Sequence, residues 1–375
     1  MFLQASYQLQ RDITNVMFSP FSPSGDVPRL TTKMALDMAQ CAAGTAATLL
    51  PDGDSQVAWL ELQNKLEAFN LFAHVDLDLD LCSADSLASL VERASRLGSY
   101  RSVWAIEGVG HFYAGLSRTS SPGIDLKTRA NALPPSSLVP LHSGAGLSFA
   151  GRCLDAIATR STDAQLRAAL QEFFALCDEN SHESYVGATY EALGLTTRNL
   201  HPHLVADIHR HLAKIDERLV AYFWHGVGRA IYFAPTNFLP DASTSQRFLK
   251  QIQAESPHEL ARLNALSGTI WALVLVNVRH PKVLEAFIRA NARELNPEVF
   301  ESALCSAALI WCDSSPDDES LNALCSHHPS GGELQAIWEA HVSRPCLEVL
   351  KHYAALKETG LGRLFRHRPL SELIR

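Results

Sequence analysis

The chain has 375 residues, of which 47% are hydrophobic and 19% charged, the composition of an ordinary globular protein. Lys and Arg number 32 against 40 Asp and Glu, which gives a net charge of −8. This balance, without any long basic run, excludes nucleic acid as an expected partner, because binding a phosphate backbone requires clustered positive charge.

The cysteines and the first residues of the chain both favour a cytoplasmic protein. The eight cysteines form no Cys-x-x-Cys pair, and four lie inside apolar helical runs: Cys41, Cys153, Cys305 and Cys312. We interpret these as small buried side chains in a reducing compartment. The N-terminal residues show no basic region followed by an apolar core, and the longest apolar run, 268–278, is about half the length of a membrane span. We therefore expect no membrane association.

Residues 1–100 form the first predicted region, which is mainly helical. The first 17 residues favour a helix, and a loop rich in proline and serine follows them. Thr31 or Thr32 is a candidate N-cap for an alanine-rich helix that ends near Leu50, and a further helix is predicted over 57–72.

The segment 75–82 is the one place where the sequence predicts a strand. Apolar and acidic residues alternate there with a period of two, which is typical of a half-buried strand. Its three aspartates also fit the start of a calcium-binding loop. Leu87 occupies the position where that loop requires glutamate, so we favour an edge strand or loop with a solvated acidic face.

Copies of one glycine motif recur between residues 101 and 313. The clearest copy is 222–233, which reads YFWHGVGRAIYF, and the others begin at Trp104, Leu141, Tyr185 and Leu266. The first glycines of the five copies lie 36, 43, 39 and 42 residues apart: Gly108, Gly144, Gly187, Gly226 and Gly268. Repeats of this length indicate helical hairpins that bury their apolar faces against their neighbours.

The predicted fold is therefore all-α, with helical-hairpin repeats that form an α-solenoid or a closed α/α toroid. The prolines fall between the predicted helices and not inside them, as helix boundaries require. We divide the chain into the N-terminal region 1–100, the repeat array 101–313, and C-terminal capping helices over 314–375.

The motif glycines need an explanation, since a glycine inside a helix costs about 0.5 to 1 kcal/mol relative to alanine. Either neighbouring helices approach closely at these points, which we favour, or the glycines begin helices whose amide groups face a ligand. A dinucleotide-binding fingerprint does not fit, because no strand precedes the motifs and the third glycine is absent after Gly108 and Gly226. We expect no cofactor.

Two columns of the repeat alignment vary in a way that points to a site. The position before the first glycine holds Glu107, Ser143, Val186, His225 and Ser267, and the third position after it holds His111, Leu147, Tyr190, Arg229 and Trp271. The columns are four residues apart, hence on one helix face. If the repeats curve around an axis, the polar members converge on one cavity, together with His142.

From these residues we predict an acid and base site in a binding cavity. Glu107, His111 and His225 are the candidate catalytic residues, because buried carboxyl and imidazole groups transfer protons. The candidate substrate-binding residues are Arg229, His142, Tyr113, Tyr190 and Trp271, and second-line candidates are Glu183, which follows His182, and Glu191. The alternative is that these groups form ion pairs and core hydrogen bonds that lock the repeats together.

A metal site is a weaker alternative. His203, Asp207 and His211 follow each other at steps of four residues, so one helix face carries all three. The apolar stripe of the same helix lies elsewhere, which favours these three as surface residues. The 16 histidines include no His-Glu-x-x-His element, and we expect no bound metal.

The glycine motifs, taken in order, resemble an uncharacterised bacterial family that is found beside enediyne-type polyketide biosynthesis genes. The motifs are Glu-Gly-x-Gly, His142-Ser-Gly-Ala-Gly-Leu-Ser-Phe-Ala, the block 185–195, His225-Gly-Val-Gly-Arg-Ala-Ile-Tyr-Phe and Leu266-Ser-Gly. The resemblance covers residues 100–290. Ser143 and Leu147 depart from the family pattern His-Val-Gly-Ala-Gly-Trp. The resemblance implies a bacterial protein of specialised metabolism and supplies no catalytic residues.

The functional expectation combines the cavity with this setting. We expect a hydrophobic, polyketide-like small molecule as the ligand, with cyclisation, isomerisation or hydration as the acid and base chemistry. The alternative function is a scaffold without enzymatic activity, whose helical repeats bind a partner protein.

Overall fold

A computed structural model describes residues 26–116, 124–157, 162–241 and 243–374. These ranges contain helices, turns and loops and no strand, which confirms the all-α class. The helix predicted over the first 17 residues lies outside the described residues.

The longer helices are named α1 to α14 in chain order. They are α1 (Asp26–Leu49), α2 (Asp54–Ala73), α3 (Leu87–Ser95), α4 (Ser99–Leu116), α5 (Leu138–Ile157), α6 (Asp163–Asn180), α7 (Val186–Leu200), α8 (Val205–Ile215), α9 (Glu217–Tyr232), α10 (Thr244–Glu255), α11 (Glu259–Asn277), α12 (Pro281–Asn291), α13 (Pro297–Ser314) and α14 (Arg344–Lys351).

Shorter elements connect these helices. The α-helical ones are Val75–Asp78, Leu126–Arg129, Ser320–Cys325, Gly332–Trp338, Tyr353–Thr359 and Leu370–Leu373. The others are a π-helical turn at Glu339–Ser343 and 3-10 turns at Ala130–Ala132, Pro135–Ser137, Pro202–Leu204, Pro235–Phe238 and Leu361–Leu364.

The motif helices α4, α5, α7, α9 and α11 pack side by side in chain order, and α2 contacts both α4 and α11. Helix α11 is the one described helix long and apolar enough to cross a membrane, but most of its length is buried inside the protein. Its apolar surface therefore belongs to the core.

The glycines mark the points where these helices touch through their backbones. A methyl group added at Gly110 would lie 2.5 Å from the Leu141 carbonyl oxygen of α5, and one at Gly146 would lie 2.7 Å from the Thr189 oxygen of α7. Gly226 likewise faces the backbone of α7, with the Leu195 nitrogen at 2.7 Å. The close-approach interpretation is confirmed.

The repeat register in α7 differs from the predicted one. Gly194 packs against the Phe223 backbone of α9, and Ala192 is the small residue that faces Gly146 of α5. Glu191 and Leu195 therefore occupy the two columns that the alignment gave to Val186 and Tyr190. The predicted Gly187 instead packs against the Gly362 backbone in the C-terminal region. The alignment was wrong because alanine replaces the first glycine of this copy.

The strand predicted over 75–82 is also wrong, because Val75–Asp78 forms one helical turn. Val75 is buried, and its side chain is among the nearest groups to Gly108 of α4. Asp80, two residues after this turn, has a φ of 48°, and Arg93 donates hydrogen bonds to the carbonyl oxygens of Leu79 and Asp80. Packing against α4 thus overrides the local alternation.

Three smaller expectations also need correction. Cys41 is exposed and Cys312 half-buried, whereas Cys153 and Cys305 are buried as predicted. His211 is buried and not on the surface, with its Nε2 3.6 Å from an Asp163 carboxylate oxygen.

In the described ranges, no group of three or more His, Cys, Asp or Glu is placed to hold a metal ion.

Helix α9 begins before the motif copy 222–233. Asp216 ends the previous helix and accepts a hydrogen bond from the Arg218 backbone nitrogen at 2.9 Å, so that α9 begins at Glu217. An aspartate at this position satisfies an amide that would otherwise lack a partner.

Candidate functional site

Four charged or titratable side chains meet between α4, α7 and α9. Arg229 Nη1 donates to Glu191 Oε2 at 2.7 Å, and Arg229 Nη2 donates to Glu107 Oε1 at 3.3 Å. His225 Nδ1 lies 3.0 Å from Glu191 Oε1. All four residues are buried. We call them the charge network.

The glycine packing places these side chains together. Glu107 and Glu191 precede the first small residue of their motifs, and His225 and Arg229 stand one helical turn apart on α9. Because the glycines bring the backbones of neighbouring helices into contact, side chains beside them reach across to the next helix. The motif therefore builds the network as well as the helix interface.

The charges of the network balance when it holds one extra proton. Two carboxylates face one guanidinium, so a neutral network requires one protonated carboxyl group if His225 is neutral. Burial raises the pKa of Glu107 against the opposing effect of Arg229, and the charge of Glu191 raises it further. Burial lowers the pKa of His225 despite its bond to Glu191. The surroundings of Glu107 therefore favour its protonated form more than water does.

Arg229 stays charged in this environment. Burial alone would lower its pKa, but attraction by Glu191 and Glu107 outweighs that effect, and its pKa is raised. A permanent cation between two carboxyl groups stabilises whichever of them is ionised.

A small apolar cleft of about 40 Å³ lies over one end of the network. It is lined by Ala68, Phe69, Phe72, Trp104, Glu107, Leu147, Leu195, Arg229 and Phe233. The side chains of Glu107 and Arg229 keep 8% and 5% of their exposure, whereas those of Glu191 and His225 keep none. Glu107 and Arg229 thus face the cleft, and Glu191, which also contacts His225, holds Arg229 from behind.

Aromatic side chains enclose the far side of the network. The Arg229 guanidinium carbon lies 4.8 Å from the centre of the Trp271 ring, which makes a cation–π contact. Trp271 also packs against His225 and Phe365, with ring centres 5.8 and 5.4 Å apart. Trp271 therefore contacts the network without lining the cleft.

The other predicted residues are divided between the cleft and more distant places. His111 is half-buried, and its ring lies 5.6 Å from that of Phe72, which lines the cleft. The Tyr113 hydroxyl accepts a hydrogen bond from Arg129 at 3.1 Å. Tyr190 is hydrogen-bonded to Asp178. Neither tyrosine joins the charge network.

His142 is held by backbone groups. Its Nδ1 lies 2.6 Å from the Leu138 carbonyl oxygen, and its Nε2 accepts a hydrogen bond from the His182 backbone nitrogen at 3.0 Å. Burial lowers the pKa of His142 to about 4. The ring is therefore neutral near pH 7 and links the start of α5 to the loop before α7.

The two second-line candidates, Glu191 and Glu183, lie in different parts of the structure. Glu191 is central to the network, although the alignment placed Val186 in its column. Glu183 lines a surface cavity with His182 and Asp178 instead. The signal that would have found Glu191 is the small pair Ala192 and Gly194, with the same spacing as the paired glycines of the other copies.

The fold and the site together define an all-α protein with a buried Glu, Arg and His network beneath an apolar cleft. Comparisons with protein-family models, with curated proteins and with solved structures find no match for this chain. The chemistry of the site is thus the basis for a functional proposal.

Proposed function

We propose that the protein binds an apolar, polyketide-like small molecule at the cleft and that Glu107 serves as its general acid. The observation that carries the proposal is the position of Glu107, a carboxyl group with a raised pKa on the floor of an apolar cleft. A protonated carboxyl group in such surroundings can donate its proton to a carbonyl oxygen or a double bond.

Arg229 supports both halves of a proton transfer. When Glu107 gives up its proton, the carboxylate that forms lies 3.3 Å from Arg229 Nη2, which stabilises the new charge. The same carboxylate then removes a proton from a neighbouring carbon of the ligand and regains its acid form. Isomerisation and cyclisation follow this scheme without a cofactor, and hydration follows it with water as the added nucleophile.

The cleft volume limits what reaches Glu107. A cleft of about 40 Å³ admits only the reactive end of a ligand. Phe72, Leu147 and Phe233 line the cleft as half-buried residues, which offers apolar contacts to the rest of the molecule. His111 packs against Phe72, so we propose it as a second proton-transfer group. The motif resemblance supports a polyketide-like ligand.

A scaffold function is the second candidate, and the surface of α1 supports it. Leu30, Met34 and Met38 are exposed at steps of four residues, which gives α1 an apolar stripe. Exposed apolar stripes of this kind are typical of helices that dock into a partner protein.

Native mass spectrometry of the purified protein distinguishes the two functions. We expect the wild type to retain an organic mass, and we expect Leu147→Lys to lose it, because a charge at the cleft opposes an apolar ligand. Glu107→Gln, which keeps the shape of the side chain, should retain the mass. Leu147 is half-buried, so the lysine leaves the core intact, which thermal unfolding checks.

A ligand-free wild type that co-purifies with a protein would contradict the cleft proposal. If the Met34→Asp variant no longer co-purifies with that protein, the scaffold function replaces the cleft proposal. Retention of the same organic mass by Leu147→Lys would place the ligand elsewhere in the molecule.

A further inference from the structure

A larger cavity of about 300 Å³ lies away from the charge network, between α2, α10, α11 and α12. Its walls are formed by Val57, Ala58, Phe248, Leu273, Val283, Ala286, Phe287 and Ala290, and its polar lining consists of Asp54, Glu61, Asp241, Thr244, Ser245 and Arg289. It shares no residue with the Glu107 cleft. Its size and apolar walls match those of small-molecule pockets.

A buried lysine stands directly behind Glu61. The side chain of Lys65 is 1% exposed, and its Nζ lies 2.8 Å from Glu61 Oε1. Nζ also donates to the Asn237 carbonyl oxygen at 2.9 Å and lies 4.2 Å from the centre of the Tyr232 ring. Lysine is rarely buried to this extent, because removing an ammonium group from water is costly.

Glu61 connects this lysine to the cavity. Its side chain is 16% exposed and lines the cavity, whereas Lys65 lies behind it. The Tyr232 ring contacts Nζ of Lys65, and the Tyr232 oxygen accepts a hydrogen bond from Asn277 Nδ2 at 2.8 Å. A carboxyl group, a phenol and an amine are therefore held in contact at one wall of an apolar cavity.

The environment of Lys65 favours the neutral amine more than water does. Burial lowers the pKa of Lys65, and the attraction of Glu61 opposes this effect only in part. Lysines that react as nucleophiles are activated in the same way, by removal from water next to an apolar pocket.

We propose that the cavity binds an apolar aldehyde or ketone and that Lys65 condenses with its carbonyl group to form an imine. Phe248 and Phe287 line the cavity with stacked rings whose centres are 5.8 Å apart. These rings favour a flat, conjugated body behind the carbonyl group.

The condensation needs no oxidant or reductant. The Nζ lone pair forms a bond to the carbonyl carbon, and one proton of the amine passes through Glu61 to the carbonyl oxygen. The second amine proton follows the same route as the C–O bond breaks, so that water leaves and the imine remains. One carbonyl compound and one amine thus give one imine and one water. Because Glu61 lines the cavity and Lys65 does not, access of the carbonyl group to Nζ requires the partly exposed Glu61 side chain to rotate.

Reductive trapping on the native wild-type protein tests this proposal. The protein is incubated near pH 8 with benzaldehyde and cyanoborohydride, digested, and analysed by mass spectrometry for benzylated lysines. We expect Lys65 to be labelled at least tenfold faster than Lys250, which is exposed on α10. An ordinary lysine is less than about 1% neutral at this pH, and each unit of pKa lowering raises that fraction about tenfold.

Two variants serve as controls. Lys65→Arg keeps the positive charge and cannot form an imine, so the Lys65 label must vanish while the Lys250 label remains. Ala286→Phe fills the cavity at a wall position and should reduce Lys65 labelling at least tenfold without changing that of Lys250.

The proposal is overturned if Lys250 reacts as fast as Lys65, or if Lys65 reacts only after denaturation. Lys65 labelling that is unchanged in Ala286→Phe would also overturn it, since the aldehyde would then arrive by another route. None of these outcomes depends on Glu107, because the two sites share no residue.

Discussion

His142 and Glu107 are both buried, but their partners give them different chemistry. Backbone groups occupy both ring nitrogens of His142, so its neutral tautomer is fixed and a proton can bind only if a hydrogen bond breaks. Glu107 binds the side chain of Arg229 and keeps a small exposure at the cleft. A proton is therefore exchangeable at Glu107, whereas His142 has a structural role.

The depressed pKa of His142 predicts a loss of stability in mild acid. The unfolded chain binds a proton near pH 6.5, and the folded chain binds it only near pH 4. The stabilisation is thus present above pH 6.5 and is lost as the pH falls to about 4, with a size on the order of 3 kcal/mol. Urea unfolding of the wild type between pH 7 and pH 4 measures it.

The matched variant for this measurement is His142→Asn, whose side chain does not titrate. We expect it to be less stable than the wild type at pH 7 and to lose less stability on acidification. The difference between the two slopes isolates His142 from the other histidines whose pKa is lowered, such as His225. Equal slopes would show that His142 is protonated normally in the folded protein.

At the scale of elements, α9 shows what the paired glycines do. Gly226 faces α7 and Gly228 faces α11, so that one helix makes backbone contact on two sides. His225 and Arg229 extend from the same stretch into the charge network. Interface and site depend on one short segment.

A glycine pair tests this dependence. In Gly226→Ala the new methyl group would meet backbone atoms of Glu191 and Leu195 within 3 Å, so α7 and α9 must separate. We expect a loss of more than about 3 kcal/mol in the free energy of unfolding. Gly151 lies in α5 with nothing within 4 Å of an added methyl group, and Gly151→Ala should gain about 0.5 to 1 kcal/mol.

Chemical denaturation of both variants checks this pair. Equal effects of the two substitutions would mean that helix propensity alone governs the motif glycines and that close backbone packing is unimportant.

The sequence was most informative for the whole molecule where a pattern repeats. Helical periodicity and glycine spacing predicted the all-α class, and the two columns contained Glu107, His225, Arg229 and Trp271, which the structure brings together. These residues occupy the same two positions in different copies of the motif. A repeated pattern therefore located part of the site without any relative for comparison.

The rest depends on contacts between distant segments. The third copy was placed on Gly187, because nothing local distinguishes a glycine that packs against α9 from one that packs against Gly362. The sequence does not predict the burial of Lys65, since a lone lysine in a helix is usually solvated. Its buried Nζ donates to the Asn237 carbonyl oxygen, 172 residues away, and no local pattern indicates this contact.

The larger cavity and the cleft above Glu107 both border α2. Glu61 lines the larger cavity, and Ala68, Phe69 and Phe72 of the same helix line the cleft above Glu107. A ligand at one site therefore contacts an element that also borders the other.

The most direct test of the account is the titration of Glu107 by carbon NMR of protein labelled at glutamate carboxyl groups. The signal that disappears in Glu107→Gln identifies the residue. We predict a midpoint above the ordinary value of 4.5, and a lower midpoint in Glu191→Gln, where the neighbouring negative charge is removed. A Glu107 midpoint at or below 4.5 in the wild type would contradict the account, because the surroundings of Glu107 would then not favour its protonated form.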